Sequence, residues 1–243
     1  MMNLIKMAAY QLLHHRLFWC GLAGVMALVF LTASTYLSEV MPSGGVATSL
    51  AEIFNGMVYD STFLLILLSS LLALMLGQEF SQRTIDLEIF AGHSRKQIFW
   101  SKVSVYLLVF NMLALVFPAI GCMKQLSYFG GFGELFFAQI APAVVYSILL
   151  NSAMFFVATS CCFCLRSAAK AMGATALTTF VLSLYLGYGM MLKWPMAFLP
   201  LYQIRAVIIE GSIFNGQAIL VGLSWIVLLA VLSWRSFDKT DLK

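Results

Sequence analysis

Charged residues are scarce in this sequence: they make up 10% of its 243 residues, whereas 62% are apolar. A soluble domain carries about 25% charged residues, so this chain lacks the polar surface that water requires. The deficit excludes an ordinary soluble protein and indicates that lipid surrounds much of the chain. Six helices of about 20 residues each would use roughly half of it, which leaves no room for a soluble catalytic domain.

Motifs for nucleotide and hydrolytic chemistry are also missing. The chain has no G-x-x-x-x-G-K-[ST] loop, so any ATP it uses must be hydrolysed by another polypeptide. It has no H-E-x-x-H or G-x-S-x-G motif, and none of its three histidines lies in an apolar run. An intramembrane enzyme needs such a nucleophile–base or metal set, so the sequence counts against that class. The basic residues form no dense stripe, so the sequence does not indicate nucleic-acid binding.

Cysteines are few and form no disulfide framework. Cys161, Cys162 and Cys164 lie together near the end of an apolar run. A thiolate zinc site needs four ligands, and neither a histidine nor a fourth cysteine is close in sequence. Helix packing is therefore the favoured interpretation, and no catalytic, cofactor-binding or metal-ligating residue is predicted.

What the sequence does contain is a series of long apolar runs. They cover residues 17–37, 61–77, 103–123, 135–160, 171–192 and 217–234. The sequence therefore predicts an all-α membrane protein with six transmembrane helices. A cleaved secretory signal is the alternative for the first run, but its 21 residues exceed the usual signal core of about 7–15, so a retained helix is favoured.

The distribution of lysine and arginine gives an orientation. With the N-terminus inside, eleven of these residues face the cytoplasm and three (Lys124, Lys193 and Arg205) face outward. Cytoplasmic loops carry an excess of Lys and Arg, so both termini are expected in the cytoplasm. The expected location is a plasma membrane, which the chain crosses several times.

Two further segments show helical patterns outside the spans. Residues 1–16 have apolar positions at helical spacing and predict an amphipathic "elbow" helix lying in the cytoplasmic interface. Residues 193–216 predict a short outer helix that starts at Pro200. The first outer loop carries Glu39, Glu52 and Asp60 without any Lys or Arg, which fits either selection of a cationic cargo or a solvated acidic loop; the solvated loop is favoured.

The cytoplasmic loop 78–102 is the most organised connection. Thr84 is expected to N-cap a two-turn helix over residues 85–91, which Gly92 ends and which presents Ile85, Ile89 and Phe90. A second helix is expected from Ser94, with Gln97 completing a capping box, and it continues into the third span. A two-turn helix is not stable alone, so it must pack on this chain or on a partner.

This loop resembles the first cytoplasmic loop of ABC-2 type transporter permeases. The similarity is carried by Glu79-Phe80, Thr84, Gly92-x-Ser94-Arg95, Gln97-Ile98 and Lys102. The elbow helix, six spans and chain length also resemble small permeases that export bacteriocins, lantibiotics or antibiotics. Arg83 departs from that pattern, which usually has glycine before the threonine.

The resemblance implies a coupling helix that docks on a soluble ABC ATPase, present in two copies, which binds the ATP and Mg²⁺. Glu79, Thr84, Ile85, Ile89 and Phe90 would then form the coupling surface. Arg95 and Lys102 would anchor the third span at the inner interface. A second permease, identical or related, would complete the pathway between membrane lipids and the outside.

The apolar runs have no Lys, Arg, Asp or Glu in their interiors, which favours an amphipathic or lipid-like cargo over ion coupling. The small permeases that this chain resembles imply a role in antimicrobial-peptide or antibiotic resistance. A membrane sensor or assembly protein that binds a partner without transport is the alternative that the sequence leaves open.

Overall fold

The computed structural model describes residues 2–38, 45–211 and 214–239, and in these ranges the chain folds into ten α-helices without a strand. They are α1 (Met2–His14), α2 (Arg16–Thr32), α3 (Leu50–Tyr59), α4 (Thr62–Ser81), α5 (Thr84–Phe90), α6 (Arg95–Phe129), α7 (Phe136–Leu165), α8 (Ala168–Leu192), α9 (Pro200–Glu210) and α10 (Gly216–Asp238). A 3₁₀ turn, Thr35–Leu37, follows α2.

Six of these helices are long and apolar enough to cross a membrane. They are α2 with the turn that follows it, α4, α6, α7, α8 and α10. The prediction of an all-helical chain with six membrane-length helices is confirmed, and it indicates a multi-pass membrane protein. Pro118 in α6 and Pro142 in α7 lie inside helices, as membrane helices tolerate because neighbouring groups satisfy the freed carbonyls.

Several helices extend beyond the apolar runs that predicted them, because the backbone hydrogen bonds of the helix continue into the polar residues that flank each run. The second span ends at Ser81 rather than at 77, and the third covers Arg95–Phe129 rather than 103–123. At 1.5 Å per residue the 35-residue α6 is about 52 Å long, well beyond the roughly 30 Å of a hydrocarbon core. Its first turns therefore belong to the loop region.

Helix α3 lies in the segment that was expected to be a loop. Its buried face consists of Leu50, Ile53, Phe54, Met57 and Val58, and it packs against α6 and α7. The spacing i, i+3, i+4, i+7, i+8 is that of an amphipathic helix, and Ser49 caps it by accepting a hydrogen bond from the backbone of Glu52. This pattern is visible in the sequence, so the loop prediction was wrong for an identifiable reason.

The packing defines two ends of the molecule. Helix α7 is central: 72% of its most apolar 18-residue stretch is buried, compared with 17% for α10. Helix α1 covers most of the residues for which an elbow helix was predicted and packs on α6 and α2, and α5 packs between the end of α4 and the start of α6. We call this the elbow end. The far end carries α3 and α9, and Pro200 begins α9 as predicted.

Candidate functional site

The short helix α5 begins with an unusual backbone turn. Arg83 adopts a left-handed conformation with φ 56°, which a glycine would adopt without strain. Thr84 is the first helical residue, and its hydroxyl donates to the carbonyl of Glu79 at 2.8 Å. The prediction that Thr84 is the N-cap is wrong: the chain turns at Arg83, and the Thr84 hydroxyl ties α5 back to α4 instead.

The other end of α5 follows the sequence prediction. Gly92 has φ 90°, its N–H bonds the carbonyl of Ile89 at 2.9 Å, and the N–H of His93 bonds that of Glu88 at 3.3 Å. This is the Schellman pattern that ends helices at glycine. Ser94 and Gln97 then form the expected capping box at the start of α6, so only four residues, 91–94, separate the two helices.

A buried ionic cluster lies beneath α5. The Lys102 side chain is 1% exposed, and its Nζ is 2.8 Å from Glu79 Oε2 and 2.7 Å from Glu88 Oε1. The same Nζ donates to Gln11 Oε1 at 2.9 Å. The Tyr106 hydroxyl donates to the second Glu79 oxygen at 2.7 Å. These five residues, which we call the Lys102 cluster, join α1, α4, α5 and α6.

The geometry of this cluster fits an ammonium group, which has three donors and no acceptor. All three directions are used by Glu79, Glu88 and Gln11. Burying charges is costly unless each is paired and hydrogen-bonded, so the cluster holds only while the four helices stay together. A displacement of α5 therefore strains α4, α6 and α1 at once.

The buried contacts of this cluster were not predicted from the sequence. Glu88 has a side chain that is 7% exposed and bonds Lys102, and Gln11 accepts a hydrogen bond from the same Lys102 ammonium group. Lys102 was predicted to anchor the third span at the inner interface, and the structure gives it three partners inside the protein. Glu88 does share a face with Ile85 at i, i+3, which could have indicated its burial.

The two faces of α5 differ sharply. Ile85 is 1% exposed and faces inward, so the expectation that it is presented at the surface is wrong. Ile89 is partly buried against the same core. Phe90 is 84% exposed and Leu87, three residues earlier on the same face, is 64% exposed. Leu87 was not among the predicted residues, although i, i+3 spacing with Phe90 places it beside that ring.

Arg95 lies at the elbow end and binds the end of another helix. Its guanidinium donates to the carbonyls of Phe237 at 3.2 Å and Asp238 at 2.7 Å. Arg166 donates to the carbonyl of Ser236 at 2.9 Å. Cations at a helix C-terminus stabilise its unpaired carbonyls and its dipole. The two arginines thereby fix the end of α10 beside α6 and α7.

An aromatic cluster fills the space between these helix ends. Phe99 of α6 lies 4.8 Å from Phe163 of α7, ring centroid to centroid, and Phe163 lies 5.2 Å from Phe80 of α4 and 5.2 Å from Phe237 of α10. Aromatic pairs at such distances contribute beyond their buried area. The four rings therefore form a packed apolar layer at the elbow end, next to the Lys102 cluster.

The acidic residues that were predicted as low-ranked cargo candidates have different surroundings. Glu39 lies outside the described residues. Glu52 accepts from the backbone N–H and the hydroxyl of Thr48 at 2.6 and 3.0 Å, so it caps α3. Asp60 lies 3.9 Å from the guanidinium of Arg205. The structure thus gives Glu52 and Asp60 partners within the chain and does not bring them together.

No protein-family model matches this chain, and no curated protein matches it. In the described ranges no group of three or more His, Cys, Asp or Glu side chains is arranged to hold a metal ion. The most elaborate polar site in those ranges is the Lys102 cluster beneath α5. It joins α5, on which Leu87 and Phe90 are exposed, to three other helices.

Proposed function

We propose that this chain is the permease subunit of an ATP-binding-cassette exporter of the ABC-2 type. Helix α5 docks on a separate ATPase, which binds the ATP and Mg²⁺, and a second permease completes the pathway. The chain lies in the bacterial plasma membrane with both termini and the elbow end in the cytoplasm. The carrying observation is that α5 is exposed on one side and ionically fixed on the other.

The exposed side supplies a docking surface. Leu87 and Phe90 project from the tip of a capped two-turn helix, and large apolar side chains in such positions fill pockets on partner proteins. Among the predicted coupling residues, Phe90 contacts the ATPase. Leu87, which was not predicted, contacts the ATPase beside Phe90. Ile85, Glu79 and Thr84 act behind them as the inward attachment of α5, with Ile89 at the boundary.

The inward side supplies the transmission. Glu88 is the only member of the Lys102 cluster on α5, and Lys102 connects it to α4, α6 and α1. A push on α5 therefore reaches two spans and the elbow helix through direct ionic contacts. Arg95 extends the connection to α10.

The transported molecule is an amphipathic, peptide-like or lipid-like compound, with antimicrobial-peptide or antibiotic resistance as the biological setting. Beyond the Lys102 cluster, two contacts between spans support this, because they are made by neutral groups: Asn111 donates to Ser152 at 3.1 Å, and the hydroxyls of Ser160 and Ser233 are 3.0 Å apart. Pathways for ions or protons usually contain ionisable groups at such positions.

Docking is tested with the ABC ATPases of the source genome, beginning with any whose gene adjoins the gene of this chain. The double variant Leu87→Lys/Phe90→Lys should weaken ATPase binding at least tenfold in co-purification and biolayer interferometry, because it places two charges in an apolar contact. The matched control is Leu135→Lys/Phe137→Lys, which changes two residues at the far end that are 66% and 73% exposed. Unchanged binding by the α5 variant, with normal membrane insertion, would show that α5 is not the docking helix.

Transport itself is tested in vesicles containing both subunits and a fluorescent membrane-active peptide. ATP-dependent movement of the peptide is the expected result. ATPase binding without any peptide movement across a panel of such cargoes would instead indicate a membrane sensor or an assembly protein.

A further inference from the structure

An apolar groove of about 590 Å³ runs along the outside of the bundle at the elbow end. Helix α1 forms one wall with Ile5, Ala9 and Leu13, and α6 forms the other from Ser104 to Val116, while Phe18 and Leu22 of α2 close the side. Apart from Ser104, every residue along it is apolar. The groove is separate from α5 and from the Lys102 cluster.

The dimensions of the groove match one leaflet of a bilayer. Ser104 and Val116 are twelve residues apart on α6, which is about 18 Å at 1.5 Å per residue. One leaflet contributes about half of a roughly 30 Å hydrocarbon core. The groove starts under the amphipathic helix α1, the element expected at the headgroup level, and runs toward the bilayer centre.

The groove is preformed because the corner between its α1 and α2 walls is fixed. The Trp19 indole donates to the carbonyl of Leu13 at 2.8 Å, across the α1–α2 junction. His15 N-caps α2 by accepting from the N–H of Leu17 at 3.2 Å. These two hydrogen bonds therefore fix the angle between α1 and α2 at this corner.

Two cations adjoin the lining residues of the groove in sequence. Lys6 follows Ile5 of the groove wall, Arg16 begins α2 two residues before Phe18, and both cations are exposed. Residues 1–38 contain no Asp or Glu, so no nearby carboxylate in this segment neutralises them. Lysines and arginines at a membrane surface attract anionic lipids by about fivefold in affinity per residue.

We propose that this groove binds an anionic phospholipid, with one acyl chain along α6 and the phosphate between Lys6 and Arg16. The occupant follows from three features together: an apolar channel one leaflet long, a position on the outside of the bundle, and two exposed cations that adjoin its lining residues in sequence. The bound lipid fills the space between α1 and α6 and so supports the elbow helix.

The test uses phosphatidylglycerol with a photoreactive diazirine in the middle of an acyl chain, at low content in phosphatidylcholine nanodiscs containing the purified chain. Mass spectrometry of the cross-linked peptides should place most of the label on α1 and on residues 104–116 of α6. Unlabelled phosphatidylglycerol should compete at least tenfold better than phosphatidylcholine with the same acyl chains.

Two variants separate the parts of the site. Ala9→Trp fills the groove and should reduce groove labelling at least fivefold, whereas Leu177→Trp, at a 66% exposed position on α8, should leave it unchanged. Lys6→Gln/Arg16→Gln should remove most of the preference for phosphatidylglycerol, by up to about 25-fold, while groove labelling persists. The double variant keeps every wall residue, so its result does not depend on whether Ala9→Trp folds.

Three results would overturn the proposal. Label spread evenly over all exposed helices would indicate ordinary surrounding lipid, and equal competition by the two lipids would eliminate the role of the cations. Cysteine cross-linking between two Ala9→Cys chains, with the groove unlabelled, would show that a second copy covers this face. None of these results bears on ATPase docking at α5.

Discussion

The two ends of the molecule hold their cations in opposite ways. At the elbow end, the Lys102 side chain is 1% exposed and contacts two carboxylates and an amide from three different helices. At the far end, the Arg205 side chain is 19% exposed, and its nearest carboxylate, on the 44% exposed Asp60, is 3.9 Å away. Lys124 uses the carbonyl of Phe30 and the hydroxyl of Ser34. One end is joined by buried charges and the other by partly solvated contacts.

This difference indicates where the fold resists displacement. Removing the partner of a buried charge costs much more free energy than removing the partner of a solvated charge. The helices of the elbow end are therefore expected either to stay in contact or to separate, with few intermediate arrangements. The far end can adjust its contacts gradually. A helix that receives a push is expected at the stiff end, which is where α5 lies.

The largest effect is expected from Lys102→Met. The change leaves Glu79 and Glu88 buried together without a cation, which costs about 3–5 kcal/mol of unfolding free energy. Lys124→Met at the far end should cost about 1 kcal/mol, since it removes hydrogen bonds that water replaces. Denaturant unfolding in detergent measures both, and equal losses would remove the contrast between the ends.

A triple variant refines this result. Glu79→Gln/Glu88→Gln/Lys102→Met removes every formal charge from the cluster, and neutral replacements of buried ion pairs are often close to neutral in stability. It should therefore be more stable than Lys102→Met alone by about 2 kcal/mol or more. A further loss instead of a recovery would mean that packing around Lys102, and not its charge, holds the helices.

The next effect concerns the close approach of α4 and α8 at the elbow end. A Cβ on Gly77 would lie 2.8 Å from the Cα of Ala168, a backbone atom that cannot rotate away. Gly77→Ala should thus cost about 1–3 kcal/mol through overpacking. Gly173→Ala on α8 meets nothing within 4 Å, so it should be neutral or slightly stabilising. Thermal melting followed by tryptophan fluorescence distinguishes them.

Arg83→Gly should stabilise the protein by about 1 kcal/mol. The residue has φ 56°, a left-handed conformation that costs a non-glycine residue roughly that amount. Arg83→Ala, which keeps the Cβ, is the control and should give no gain. If alanine stabilises as much as glycine, the arginine charge and not the backbone is responsible.

The smallest effect is expected from Asp60→Asn at the far end. Exposed ion pairs contribute about 0–1 kcal/mol, and this one is long, so the melting temperature should change by no more than one or two degrees. A loss comparable to that of Lys102→Met would show that the far end also depends on its charges.

Local signals explain most of what the sequence predicted correctly. The six apolar runs, the Gly92 stop, the Ser94–Gln97 capping box and the Pro200 start each depend on neighbouring residues, so they could be recognised without the fold. The missed helix α3 belongs to the same group, because Ser49, Glu52 and its apolar spacing are local as well.

The candidate site was less predictable, because its contacts are long-range. Lys102 and Gln11 are 91 positions apart, and their contact exists only because α1 packs on α6. The burial of Ile85 and the exposure of Leu87 likewise follow from how α5 lies between α4 and α6, which a two-turn pattern does not specify. Arg83 occupies a position where glycine is preferred. The reason is the backbone φ of 56° at this residue, which the sequence does not reveal.

The central claim is that α5 transmits force to the spans through the Lys102 cluster, and one measurement tests it most directly. The triple variant Glu79→Gln/Glu88→Gln/Lys102→Met keeps Leu87 and Phe90, so it should bind the ATPase within about twofold of the unmodified chain. In the vesicle assay it should nevertheless lose at least nine-tenths of ATP-dependent peptide movement. Full movement with full binding would contradict the claim, because the spans would then respond without the ionic connection.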